Sequence, residues 1–131
     1  MILILLILLL SSSTCYASEV AIETIAYEAS NQSFEAQVMV ASVIKTRMAE
    51  RGQTAIQVCL AKHQFSAWHP VTHLPTQKRR ITPKERELAL LAWNEASVGE
   101  YNHYARHDCQ PYWIKSAKKS VRIGDHVFYK L

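Results

Sequence analysis

Glu28 is the residue of this chain best placed to handle a proton. It lies in the stretch Ile25-Ala26-Tyr27-Glu28-Ala29-Ser30-Asn31-Gln32-Ser33-Phe34-Glu35-Ala36-Gln37. A helix over Glu19 to Ala29 gathers Ile22, Ile25, Ala26 and Ala29 into one apolar stripe and leaves Glu28 roughly a hundred degrees from its centre. A carboxyl group at that border, beside a tyrosine and near a helix end, is open to partial desolvation, which raises its pKa until it keeps a proton near neutral pH. Such a group serves as a general acid. The competing reading is a solvated glutamate on an ordinary surface helix, since glutamate favours helices.

Other constellations compete with it. His103-Tyr104-Ala105-Arg106-His107 has the four-residue histidine spacing of a helical zinc site. Tyr104 stands where a metalloprotease motif needs glutamate, however, and the surroundings read as strand and loop. His69 and His73 repeat the spacing inside a proline-containing loop, where it no longer defines a face. No metal or other cofactor is expected. Glycine occurs only at Gly52, Gly99 and Gly124, too sparsely for a phosphate-cradling loop, and no serine sits at a recognisable nucleophile turn. Phe65, Trp68, Tyr104, Tyr112 and Trp113, set among polar residues, are of the kind that stack on sugar rings and equally of the kind that fill a small core.

The elements that must position these groups are helical first and extended last. Ser33 caps a helix from Phe34 to about Arg51 that carries Phe34, Val38, Ala41, Ile44 and Met48 along one side and ends at Gly52. Thr54-Ala55-Ile56-Gln57 has capping-box spacing and opens a short helix through Leu60. Lys62 to Arg80 lacks periodicity, contains Pro70 and Pro75, and reads as a long surface loop. Thr82-Pro83-Lys84-Glu85 starts another helix, with Leu88, Leu91, Ala92 and Ala96 directed inward. Tyr101 to Ala105, Tyr112 to Ile114 and Val121 to Tyr129 are rich in aromatic and β-branched residues and read as extended segments. The sum is a single α+β domain with a small antiparallel sheet or hairpin near the C-terminus.

Met1 to Leu10 is an uninterrupted apolar run, too short to span a bilayer comfortably, and Ser11 to Ser18 supplies the small residues that a signal peptidase accepts. Residues 1–17 are therefore expected to be a secretory signal and 18–131 one compact domain. Retention of the run as an uncleaved anchor is the alternative, and either route places the protein in the cell envelope, secreted or periplasmic. In an exported chain Cys59 and Cys109 are a disulfide candidate, with two unpaired thiols as the other option. The net charge of +4 is concentrated in Lys78-Arg79-Arg80 and in Lys115, Lys118, Lys119 and Arg122. It suits extracytoplasmic polyanions, although such runs also occur as plain solvated loops.

Tyr27-Glu28-Ala29, Phe34-Glu35-Ala36-Gln37-Val38 with Val40-Ala41-Ser42-Val43-Ile44, Gln64-Phe65-Ser66, and Trp113 followed by Arg122-Ile123-Gly124-Asp125-His126-Val127-Phe128-Tyr129 occur in that order. Together they resemble the SleB-type cell-wall hydrolases known from spore-cortex-lytic enzymes. That family usually reads glycine-glutamate-alanine-arginine-glycine-glutamate where this chain has Tyr27-Glu28-Ala29-Ser30-Asn31-Gln32. The family's catalytic acid falls on Glu28, and its second glutamate is replaced by Gln32. The resemblance implies a lysozyme-like fold that cuts peptidoglycan glycan strands between N-acetylmuramic acid (MurNAc) and N-acetylglucosamine (GlcNAc). The expected partner is that glycan, with no nucleic acid, no membrane once the signal is removed, and a monomeric state.

A two-carboxylate glycosidase needs a second acid across the scissile bond. Glu35, Asp108 and Asp125 are the candidates, with Glu35 equally suited to a supporting role paired with Arg47 or His126. A lytic transglycosylase needs only Glu28, as acid and then base, and gives 1,6-anhydro ends. Gln64, Phe65, Tyr104, Trp113 and His126 are the expected substrate-binding residues. The alternatives are lysozyme-type hydrolysis of the same bond and a peptidoglycan-binding module without activity.

Overall fold

The computed structural model describes residues 18–131, and the expected signal over 1–17 lies outside the described residues. Residues 18–29 form helix α1, and Ile22, Ile25, Ala26 and Ala29 are all buried, as their spacing predicts. Thr24 is buried with them: its hydroxyl donates to the Val20 carbonyl at 2.7 Å and accepts from Trp68 Nε1 at 2.8 Å. That bond satisfies two polar groups inside the core and pins the loop carrying Trp68 to α1.

Helix α2 (Phe34–Arg51) is capped by the Ser33 hydroxyl, which accepts from Ala36 N–H, and it ends at Gly52, whose φ of 59° gives the left-handed cap that glycine adopts most readily. Its buried face differs from the expected stripe. Val40, Ala41, Val43, Ile44, Thr46 and Arg47 are covered, whereas Phe34 is exposed and Val38 and Met48 are half-buried. Helix α3 (Ala55–Leu60), helix α4 (Pro83–Glu95) and the sheet all pack on α2, so several neighbours set its covered surface.

The Thr54 capping box forms in full at α3, and Thr82 with Pro83 starts α4 as expected. On α4 the inward positions are Ala89 and Ala92, with Ala96 just beyond; Leu88 is half-buried and Leu91 is 49% exposed, contrary to the expected face. Small residues on that face let α4 lie close against α2. Lys45 donates to the carbonyls of Trp93 and Ala96, both at 2.7 Å, and closes the end of α4.

Strands β1 (His103–Arg106), β2 (Lys119–Ile123) and β3 (His126–Lys130) form an antiparallel sheet in the order β1-β3-β2. Gly124 and Asp125 make the hairpin turn, with Gly124 at φ 61° as a tight turn of this class requires. A side chain at Gly124 would also meet Gln32 Oε1 at 2.7 Å. Tyr112–Ser116 is a 3-10 helix and not an extended segment, because Pro111 holds φ at −61° and the Ile114 and Ala117 amides close successive short turns. Phe128 on β3 is fully buried and joins the sheet to the helical core.

Cys59 and Cys109 are both free, so the disulfide considered from sequence does not form. Cys59 lies on α3 and is buried in the core, while Cys109 is exposed after β1. Burial pushes the Cys59 thiol up to about 12, which keeps it protonated and inert.

Candidate active site

Glu28 lies in the last turn of α1 and is half-buried. Ser66 Oγ is 3.5 and 3.4 Å from its two carboxyl oxygens, and the Ala67 amide donates to Oε1 at 3.4 Å. Burial pushes the Glu28 carboxyl above its ordinary range, and hydrogen bonds from Ala67 N–H, Tyr104 and Ser66 pull it only part of the way back. The bonds are long, so desolvation wins. The result is a carboxyl group biased toward keeping its proton, on the core–solvent border where the helical spacing puts it.

The loop reaches Glu28 because it is folded onto itself. Thr76 donates from its hydroxyl to the Ser66 carbonyl at 2.6 Å and from its amide to the Ala67 carbonyl at 2.9 Å, and Trp68 bridges to Pro75. Tyr27 meets the Trp68 ring edge-on at 6.1 Å. Residues 65–68 are thereby pressed on α1, with Phe65, Ala67 and Trp68 buried while Ser66 stays at the surface.

A cleft of about 450 Å³ opens beside Glu28. Of the expected substrate-binding residues, Gln64, Tyr104 and His126 line it. Tyr104 stands between Phe65, His126 and Phe128, and burial pushes its hydroxyl well above the ordinary tyrosine range, so it remains a donor. His126 is buried with Nδ1 unpartnered, and burial lowers its pKa, so the ring enters the cleft neutral.

The other expected residues lie elsewhere. Phe65 is a core residue beneath Tyr104 and does not line the cleft. Trp113 packs on His103 and Tyr129 and is likewise absent from the lining. Glu35 is exposed in the first turn of α2 and pairs with neither Arg47 nor His126; its place is explained by the helix N-terminus, which favours a carboxylate.

Asp125, one of the candidate second acids, lines the cleft, and several other lining residues were not singled out as binders from sequence, among them Asn31, Gln32, Arg47, Ser66 and Gln77. The departures from the family pattern are tied to some of them. Gln32 Nε2 donates to Asp125 Oδ2 at 3.0 Å, and Gln32 Oε1 accepts the Asp125 amide at 3.0 Å. This clamp holds the Asp125 carboxyl below its ordinary range, with Gln32 as the main cause. Tyr27 accepts from Gln77 Nε2 through its carbonyl at 3.0 Å and lies under the Arg79 guanidinium, which also donates to Ser30 Oγ at 2.9 Å. A second hollow of about 400 Å³ continues from the cleft past Tyr27, Asn31 and Gln77.

The site is thus a polar cleft on a mainly helical domain with a small sheet, and burial raises the pKa of one carboxyl group in it. Residues 31–129 match the family described as Cell Wall Hydrolase, and the chain belongs to that family. Its fold is similar to the crystal structure of the catalytic domain of the Bacillus cereus SleB protein, with a TM-score of 0.66 at 20% identity over 87% of this chain and 89% of that one. The likeness establishes the α+β architecture read from sequence. No curated protein matches the chain in sequence. Glu28 precedes the matched segment, so its assignment rests on its position in α1 and on the cleft.

Proposed function

We propose that this cell wall hydrolase is an exported, monomeric peptidoglycan glycosidase that cleaves the MurNAc–GlcNAc bond as a lytic transglycosylase. The observation that carries this reading is the placement of Glu28: half-buried, raised in pKa by desolvation, and open to a polar cleft. Glu28 gives its proton to the glycosidic oxygen as the bond from C1 breaks. The carboxylate so formed takes the proton of the muramic C6 hydroxyl, whose oxygen closes on C1 to give the 1,6-anhydro sugar. No water is consumed, and Glu28 ends protonated as it began. Gln64, Tyr104 and His126 hold the sugar, and Ser66 and the Ala67 amide steady the carboxylate between the two proton transfers.

A second reading, hydrolysis in the manner of a lysozyme, is favoured by Asp125, the other carboxylate lining the cleft. A carboxylate kept ionised there suits stabilisation of a developing oxocarbenium centre or activation of water. Mass spectrometry of released muropeptides separates the two, because anhydro ends are lighter by one water. Glu28→Gln is expected to abolish lysis of purified sacculi while the protein stays folded. Sacculi that are bound but remain turbid with the wild-type protein would instead identify a binding module.

A further inference from the structure

Arg47 is the buried charge that the reading above leaves without a task. It is 4% exposed on α2, and its Nε donates to the Asn102 carbonyl at 2.7 Å. Its guanidinium carbon lies 5.1 Å over the Phe65 ring, and one terminal nitrogen, Nη1, has no hydrogen-bond partner although it is buried. Among the described residues no carboxylate lies within ion-pair distance of it. An unpaired buried cation with an idle donor is costly, and an apolar side chain of similar size fills such a position at less expense. Burial brings the guanidinium down to about 10, still charged at neutral pH.

The surroundings limit what this charge can serve. Arg47 lines the same cleft as Glu28 and Tyr104. Glu50 and Arg51 on its own helix, Cys59 on α3, and His103 and Tyr104 on β1 are the titratable or charged groups around it. Tyr104 and Cys59 each feel both Arg47 and Glu28, and Arg47, Glu28 and Tyr104 line one cleft. Tyr104 and the buried Cys59 feel the Glu28 charge, and Arg106, Asp125 and His126 line the same cleft. Cys59 and Tyr104 stay neutral, and among the described residues lining the cleft Arg47 is the buried cation, Arg106 being exposed.

We infer that Arg47 is a positioning residue for the proposed reaction, the built-in counter-charge for the Glu28 carboxylate that exists between the two proton transfers. This rests on Glu28 being the acid and base. With the counter-charge in place, Glu28 can release its proton to the leaving oxygen without stranding an anion in a site that holds no other buried cation among the described residues. Without it, Glu28 keeps its proton too tightly to give it up.

The test compares Arg47→Met, which keeps bulk and loses charge, with Arg47→Lys, which keeps charge. Lysis of sacculi and the ¹³C shift of the Glu28 carboxyl carbon are each followed against pH. Arg47→Met is expected to raise the Glu28 midpoint and the alkaline limb of the activity profile by about one pH unit, and to lower the maximal rate about tenfold. Arg47→Lys is expected to keep both midpoints near the wild type. Equal loss of activity in both variants with an unmoved Glu28 midpoint would overturn the inference and leave Arg47 a core residue holding Asn102. The carboxyl titration reads the charge coupling even if Glu28→Gln remains active, so failure of the catalytic assignment and failure of the counter-charge are told apart.

Discussion

The cleft has two carboxylates and two climates. At one end, Glu28 emerges from the helical core, flanked by Tyr104 and the folded loop, and burial biases it toward keeping its proton. At the other, Asp125 sits on a hairpin turn against Gln32, whose amide donates to it and holds it ionised. The side chains differ by one methylene; their charge states are separated by what surrounds them. The helix end on one wall and the turn on the other set the two carboxyl groups' opposite shifts.

The largest effect expected from breaking that contrast comes at Glu28. Glu28→Gln removes the proton donor and keeps the shape, and a loss of about 10²–10⁴-fold in sacculus lysis is expected by turbidity assay. A stability change of opposite sign should accompany it. The folded-state pKa of Glu28 lies above its unfolded value, so the wild type bears no penalty while both states are protonated. As pH rises past the unfolded value, the unfolded chain releases its proton first and stability is lost until the folded carboxyl ionises too. Thermal melts of Glu28→Gln and wild type should therefore coincide near pH 4 and diverge toward neutrality, with the variant the more stable. A variant less stable at neutral pH would mean that the carboxylate is satisfied in the fold.

Asp125→Asn addresses the other end. The asparagine oxygen still accepts from Gln32, so the clamp survives while the charge goes. If the anion helps the transition state, the rate falls about tenfold with little change in substrate affinity. The product then sharpens the assignment: a water-activating Asp125 loses the hydrolysed ends on substitution, whereas a purely electrostatic one leaves the ratio of anhydro to hydrolysed ends unchanged. Gln32→Glu, which sets a carboxylate against a carboxylate 3.0 Å away, is expected to raise the Asp125 midpoint and loosen the hairpin from the turn between α1 and α2.

The two ends also differed in how much of them the chain disclosed. Glu28 was legible because an apolar stripe at three- and four-residue spacing fixes which face is dry, and the caps at Ser33, Thr54 and Thr82 act through their immediate neighbours. Asp125 was one of three candidate second acids, but Gln32 and Gln77 were not assigned to the cleft, since their roles depend on contacts across the fold. Arg47 reads in sequence as a polar position on a helix, and nothing local reveals that β1 and Phe65 enclose it. Phe65 and Trp113 went the other way: aromatic type is shared by sugar platforms and by cores, and both here are packing residues. The 3-10 turn at Tyr112–Ser116 was hidden by the β-favouring side chains of its own residues, with Pro111 as the one signal that pointed to it.

Tyr104→Phe gives the smallest and most specific change. Its hydroxyl contributes to holding Glu28 below where burial alone would set it, so its removal takes away a donor to the carboxylate without touching the cleft's shape. Glu28 should then keep its proton to a higher pH, and the alkaline limb of activity should move upward by a few tenths of a pH unit to about one, with a rate loss of about three- to tenfold at the optimum. The direction is diagnostic. If Tyr104 served only to bind sugar, the substitution would weaken affinity and leave the limb in place; a limb that moves downward would mean that the hydroxyl oxygen accepts a hydrogen bond from a neutral Glu28 and stabilises the acid in place of the anion. Measured beside Glu28→Gln, the variant separates the proton's location from the protein's need for a hydroxyl there.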